Sequence, residues 1–439
     1  MTEEAATASA ALPARAVALL AMTAFVSAAT VRTTDPLVPA IAGEFATTPG
    51  TVGLTVTAFT LAYGVCQLFW GPVGDRWGKY RTITLACLLS AATAGVAALA
   101  HSLPMLAVLR LLGGVTAAAI IPLAMAFIGD HVPYAQRQAT LARFIAGQIL
   151  GLIGGQIIGG IVGDLLGWRA VFLVLAALFL MAGLLLWREL GASALPPPVL
   201  GAPARPAQLA MTYLRLVRRP WPRTVLLTVF AEGFLFFGAL AYVGLAMRQS
   251  YGLTYTMVGM VLGAFGVGGV CYALNARRLL ARLGERGLAR GGGCLLALGY
   301  LALPLAPTPW LAALAIGLLG LGFYMLHNTL QTNATQMAPE ARGLAVATFA
   351  SCFFTGQGLG AWLAGYVVDG WLHFARPDDA PRDASGRRIF SWITAPGGLL
   401  PWQIANRPLP GWQVADTVPY TRWMGRSGAL YVLRRDGGA

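Results

Sequence analysis

Residues 71–81 read GPVGDRWGKYR, and what flanks them decides the fold. The run before them, Gly53 to Trp70, carries no charge, and a second apolar run starts at Ile83. Two hydrophobic segments joined by a short basic turn with one acid predict two membrane helices and a cytoplasmic loop. Gly71 and Gly78 allow close backbone approach and positive φ at the helix ends. Asp75 can pair with Arg76, Lys79 or Arg81, or sit at the positive N-terminus of a neighbouring helix. Taken alone, Lys79 and Arg81 can be a positive-inside topology signal and nothing more.

The composition points the same way. The chain is 57% hydrophobic and 11% charged, with mean hydropathy +0.66, whereas soluble domains carry roughly 25% charged residues. A net charge of +14 would suit a nucleic-acid partner, but the placement of the charges argues against one. With the apolar runs taken as helices, the candidate inner loops hold 16 Arg or Lys and the outer loops hold two, Arg169 and Arg248. That asymmetry puts the N-terminus in the cytoplasm. MTEEAATASAALPAR is acidic before its first Arg and is not read as a signal peptide. The five cysteines lie inside apolar runs with no C-x-x-C spacing, so packing is their expected role, with neither disulfide nor metal.

Apolar runs of ~20 residues, enough for a ~30 Å hydrocarbon layer, fall at about 16–38, 52–70, 83–100, 105–128, 139–163 and 170–187. Five more follow at about 224–246, 256–276, 289–306, 309–330 and 343–368. The expected organisation is a cytoplasmic N-terminus (1–15), a six-helix bundle (16–188), a central loop (189–223) and a second bundle (224–369). The loop starts proline-rich and continues as AQLAMTYLRLVRRPWPR, whose apolar and basic residues suit a helix lying on the inner surface. The halves repeat. An offset of 206 puts Val52-Gly53 on Val258-Gly259 and Gly78 on Gly284. An offset of 205 puts Gly151, Gly155, Gly160 and Asp164 on Gly356, Gly360, Gly365 and Asp369. Residues 370–439 break this pattern. The tail from Trp371 carries nine Arg and five Asp, and no twelfth helix is expected there. A shift of reading frame after Asp369 is one explanation, and a genuine outer-side tail is the other.

The spacing G-x-x-x-D-R-x-G-x-x-R, here Gly71, Asp75, Arg76, Gly78 and Arg81 with Lys79 as an extra base, resembles the signature loop of the major facilitator superfamily. Parallel six-helix repeats are that family's internal symmetry. The resemblance implies two such bundles, all α and membrane-embedded, with the loop acting as a cytoplasmic latch. Glycines Gly147, Gly151, Gly155, Gly159 and Gly163 recur every four residues in the fifth run, which suits close helix packing. GLIGGQIIGG (Gly151–Gly160) also resembles the fifth-helix motif of the family's drug antiporters, with Gln156 where that motif has proline. TTDPLVPAIA (Thr33–Ala42) resembles first-helix ends in the drug and metabolite efflux branch.

Charges inside membrane helices cost at least ~2.5–3.5 kcal/mol each near the bilayer centre, so each is a functional candidate. Arg32 and Asp35 are three apart, on one face near the outer end of the first helix. Arg110 occupies the place of the family's fourth-helix arginine, which the resemblance links to proton coupling. Glu232 is the one acid well inside the second bundle. Snorkelling or a static ion pair is the plain alternative for each. Gln148, Asn328, Gln331 and Gln357 can line a cavity or bond between helices. His327 can titrate near neutral pH. There is no ATP-binding glycine-lysine loop, spaced metal cluster or serine elbow, so neither an enzyme nor a cofactor is expected. The expectation is a monomeric inner-membrane secondary transporter, with a small molecule and protons as its partners and efflux as its direction. Uptake by symport or facilitated diffusion is the alternative, and a non-transporting receptor or scaffold with the same fold is a third possibility.

Overall fold

The structure, a computed structural model of the 439-residue chain, describes residues 14–191, 211, 213–214, 216–338, 342–375, 412–421 and 427–435. The first half comprises α1 (Ala14–Arg32), a 3-10 turn (Asp35–Leu37), α2 (Val38–Glu44), α3 (Pro49–Trp77), α4 (Lys79–Ala97), α5 (Leu103–Ala117), α6 (Ile120–His131), α7 (Tyr134–Leu166) and α8 (Trp168–Gly191). The second half comprises α9 (Pro220–Glu232), a π-helical turn (Gly233–Phe237), α10 (Gly238–Tyr251), α11 (Tyr255–Ala302), α12 (Pro309–Ala334) and α13 (Arg342–Ala375). Among the described residues, 10 helical spans are long and apolar enough to cross a membrane. One of them, Tyr255–Leu305, has 51 residues. As a straight helix it would run to ~75 Å, but Gly284 at φ 65°, ψ 174° turns the chain back. It therefore supplies the eighth and ninth of the eleven predicted runs. Gly78, its counterpart in the repeat, makes the equivalent turn at φ 91°.

Proline explains where helices stop. A prolyl ring clashes with the carbonyl four residues earlier. Pro36 therefore ends α1 at Arg32 and throws Asp35 into the 3-10 turn. Pro122 likewise matches the break between α5 and α6 at Ala118–Ala119. Pro72 is tolerated inside α3, because the carbonyl it frees, that of Leu68, accepts the Tyr213 hydroxyl at 3.3 Å. The signature stretch is thus mostly helical: α3 runs on to Trp77 where the sequence suggested a loop from Gly71, and Gly78 alone turns the chain.

The glycine stripe sets the packing of α7 on α1. A Cβ at Gly147, Gly151, Gly155 or Gly159 would overlap the carbonyl oxygen of Ala21, Phe25, Ala29 or Thr33, one turn further along at each step. Gly163 faces Leu37. The second half repeats the arrangement, with Gly356 against Phe230 and Gly360 against Phe234.

Much of the central loop, and residues 376–411 of the tail, lie outside the described residues. Leu216, within the loop, is buried in the core of the second half. The helix predicted to end near 368 continues to Ala375. In the tail, where no twelfth helix is expected, the described part is an antiparallel hairpin, β1 (Trp412–Thr421) on β2 (Ser427–Arg435), pairing Trp412 with Arg435 and Thr421 with Ser427. Val414, Thr417, Val418, Tyr420, Tyr431 and Val432 are β-branched or aromatic residues that favour strand over helix.

Candidate functional site

Between the halves lies a cavity with a mouth and a blind end. The wider part, about 440 Å³, is bounded by Gln67, Met125, Gln148, Gln331 and Val346, toward the helix ends that join the basic loops. The blind end, about 100 Å³, shares Tyr63, Gln148, His327 and Phe353 with it and adds Arg32, Asn328 and Gln357. The cavity opens on the side of the basic loops, the side expected from the sequence to be cytoplasmic.

Arg32 and Asp35 meet at the blind end. Nη1 of Arg32 donates to Oδ2 of Asp35 at 3.2 Å, with the two side chains 2% and 0% exposed. The guanidinium also lies 3.9 Å above the Phe237 ring of the second half, so the pair touches both bundles. Arg110 does not join it directly. Its Nη1 donates to the Thr30 carbonyl at 3.3 Å, its guanidinium sits 4.0 Å over the Phe59 ring, and its Nε and Nη2 have no partner among the described residues. An arginine buried with unmet donors is costly.

Glu232 has a partner the sequence did not indicate. Nδ1 of His327 lies 2.8 Å from its Oε2, the carboxylate is 0% exposed and the ring 15% exposed. His327 stacks on Phe323 at 4.8 Å and faces the cavity, while Glu232 stands behind it. Glu232 closes α9, where the helix loosens into the π turn. Such bulges are frequent at functional sites.

The inner loop is closed within its own bundle. Lys79 Nζ bridges Asp75 at 2.7 Å and Asp130, at the end of α6, at 2.9 Å. Arg76 and Arg81 are exposed. Gln148, Asn328 and Gln331 line the cavity, whereas the five stripe glycines pack α7 on α1 away from it. The sequence reading missed the contact between Glu232 and His327, whereas Gln357, which it named among the residues that can line a cavity, does line the blind end, with neither amide atom bonded among the described residues. The missed contact joins residues 95 positions apart and leaves no local signal.

The chain is 24% identical over 348 residues to an uncharacterised MFS-type transporter, YceJ, of Bacillus subtilis, covering 77% of this chain and 86% of that one. It is 25% identical over 336 residues to a probable sugar efflux transporter of Helicobacter pylori, covering 75% and 82%. In three dimensions it is similar to a bacterial homolog of the human lysosomal transporter Spinster in an inward-facing, occupied conformation, with TM-score 0.67 and 18% identity, covering 84% of each chain. The sequence profile described as Major Facilitator Superfamily matches residues 20–371. The chain belongs to the major facilitator superfamily and is a multi-pass membrane transporter of small molecules.

Proposed function

We propose that this transporter couples the movement of its solute to protons, with Asp35 as the coupling acid, Arg32 as its partner and export as the direction. The observation that carries the reading is the buried Arg32–Asp35 pair at the blind end of a cavity open to one side. A carboxylate there is driven toward protonation by desolvation and toward ionisation by arginine, and helix movement changes that balance. Arg110, with unmet donors, offers the carboxylate a different neighbour after such a movement. Export is supported by the first-helix and fifth-helix resemblances and by the Helicobacter relative's name. A second reading, cotransport, has one observation in its favour. Asp35 holds an arginine that lines the cavity, so a proton on Asp35 releases Arg32 to a solute, and the two bind together.

Everted and right-side-out vesicles, loaded with labelled candidate solutes and given a proton gradient, test both readings. Accumulation in everted vesicles that an uncoupler collapses supports export, and accumulation in right-side-out vesicles supports cotransport. Asp35→Asn should lose gradient-driven accumulation and retain exchange. A folded variant that still accumulates solute with normal pH dependence would overturn the role of Asp35.

A further inference from the structure

Resting on the central cavity being the solute's path, in either direction, we propose that the substrate is an organic anion with an aromatic body, its carboxylate held by Arg32 and Gln357. Two observations at the blind end carry this. The first is charge. Among the described residues, Arg32 and His327 are the basic groups lining the two connected parts of the cavity, and none lining either part is an aspartate or glutamate. Asp35 lies against Arg32, and Glu232 behind His327, each fully buried. An organic cation finds no carboxylate to approach there, whereas an anion meets a guanidinium and an imidazole.

The second is an unmet amide. Gln357 is 1% exposed and lines the blind end, and neither its Nε2 nor its Oε1 has a hydrogen-bond partner among the described residues. Nε of Arg32 is likewise buried and unbonded among the described residues. Leaving one such group unmade costs ~1–3 kcal/mol, more where it is charged. A carboxylate has two oxygens with which to accept from such donors, and charge-assisted bonds of that kind are roughly twice as strong as neutral ones.

The walls select the rest of the molecule. Phe237 and Phe323 stand edge to face at 5.0 Å, and Phe353 packs against His327 at 4.7 Å. The blind end of about 100 Å³ is on the scale of one aromatic ring, since an apolar cavity of ~150 Å³ holds benzene.

The test uses the purified full chain and the matched series phenylacetate, phenylacetamide and phenethylamine, with binding followed by calorimetry. Phenylacetate should bind at least ten-fold more tightly than phenethylamine, with the amide between them. Arg32→Gln leaves Asp35 buried without its partner and can impair folding. The double variant Arg32→Gln/Asp35→Asn removes both charges together and should abolish the preference for acid over amide. Gln357→Leu should weaken acid and amide alike. The proposal is overturned if the amine binds as well as the acid, if the preference survives in the double variant, if none of the three binds, or if xylose binds and the aromatic series does not. Exchange of labelled phenylacetate across proteoliposomes is read separately. Binding as expected without exchange would uphold the substrate class and sink the transport reading.

Discussion

Asp164 and Asp369 stand 205 positions apart and bridge the halves in the same way, each from its own bundle onto the other. Asp164, near the end of α7, accepts the backbone N–H groups of Tyr255 and Thr256, at 2.9 and 2.5 Å, at the start of α11. Asp369, on α13, accepts the backbone N–H of Gly50 at 2.7 Å and the hydroxyl of Thr48 at 2.6 Å, at the start of α3. A carboxylate at a helix N-terminus meets unpaired N–H groups and the positive end of the helix dipole together. Both latches bridge the halves on the side away from the cavity's mouth, which suits a state open inward.

Asp164→Asn and Asp369→Asn should each shift the protein toward its outward-open state. Hydrogen bonds to a charged group contribute ~1.5–3 kcal/mol, and 1.4 kcal/mol is tenfold in an equilibrium. A cysteine replacing Thr57, which is buried and bonded to the Gly358 carbonyl across the halves at 3.1 Å, reports the opening. Its labelling by an impermeant reagent from outside should rise several-fold in either variant. Unchanged labelling in both would mean that apolar packing alone holds the outer side shut.

Lys79 is the pivot of the inner loop, because it serves Asp75 and Asp130 together. Lys79→Gln should therefore lower the melting temperature of the purified protein more than Asp75→Asn does, by leaving two carboxylates facing each other. Exposed ion pairs are each worth only ~0.2–1 kcal/mol, so the difference should be a few degrees at most. Asp75→Asn should impair transport while insertion stays normal. Equal melting points for the two variants would deny Lys79 its bridging role.

How much of this the sequence carried depends on how local the cause is. The turn at Gly78 and its copy at Gly284 follow from glycine chemistry within a few residues, and the sequence shows them directly, whereas the first helix, expected to run to about residue 38, stops at Arg32 ahead of Pro36. The repeat carried Asp164 and Asp369 as equivalent positions but not their task, since a capping partner in the opposite bundle has no signature near the acid. Glu232 stood out by its charge, whereas His327 did so only weakly, because the stack on Phe323 and the contact with α9 are set by helix packing. Asp35, Arg32 and Arg110 all stood out as charges inside the first bundle, but which of them would pair did not. Asp35 chose Arg32 and Arg110 the Thr30 carbonyl, a choice of rotamer that helix positions do not fix.

Gly155→Val should abolish folded protein, because a side chain there would overlap the backbone of Ala29 on α1. Overpacking of this kind costs ~1–3 kcal/mol or more. Gly129, with nothing within 4 Å of an added Cβ, is the control. Gly129→Ala should express and elute as the parent does. If Gly155→Val does so too, the stripe is not what sets the distance between α1 and α7.

Tyr213→Phe should loosen the central loop from α3 without changing the solute's binding. The hydroxyl satisfies the Leu68 carbonyl that Pro72 leaves unbonded, a contact worth ~1 kcal/mol. Faster proteolysis within residues 211–219, with unaltered ligand affinity, is the expected result. Proteolysis at the parent's rate would show that Leu216 in the core holds the segment by itself.

The last prediction separates the two buried acids. Glu232 bonds a histidine that lines the cavity, while Asp35 bonds an arginine, Arg32. If the second-bundle pair only orients His327, Glu232→Gln keeps a hydrogen-bonding oxygen at the same place and should preserve gradient-driven accumulation, with affinity lowered a few-fold. If that pair carries the proton, the same change should abolish accumulation and leave exchange intact, the pattern expected of Asp35→Asn. His327→Asn supplies the cross-check. A positioning histidine can be replaced by an amide at a cost in affinity, whereas a proton carrier cannot, and the pH profile of accumulation would then flatten. We expect Glu232→Gln and His327→Asn to bind more weakly but still accumulate solute, and Asp35→Asn to exchange without accumulating. The reverse pattern would move the coupling site from α1 to the pair between α9 and α12.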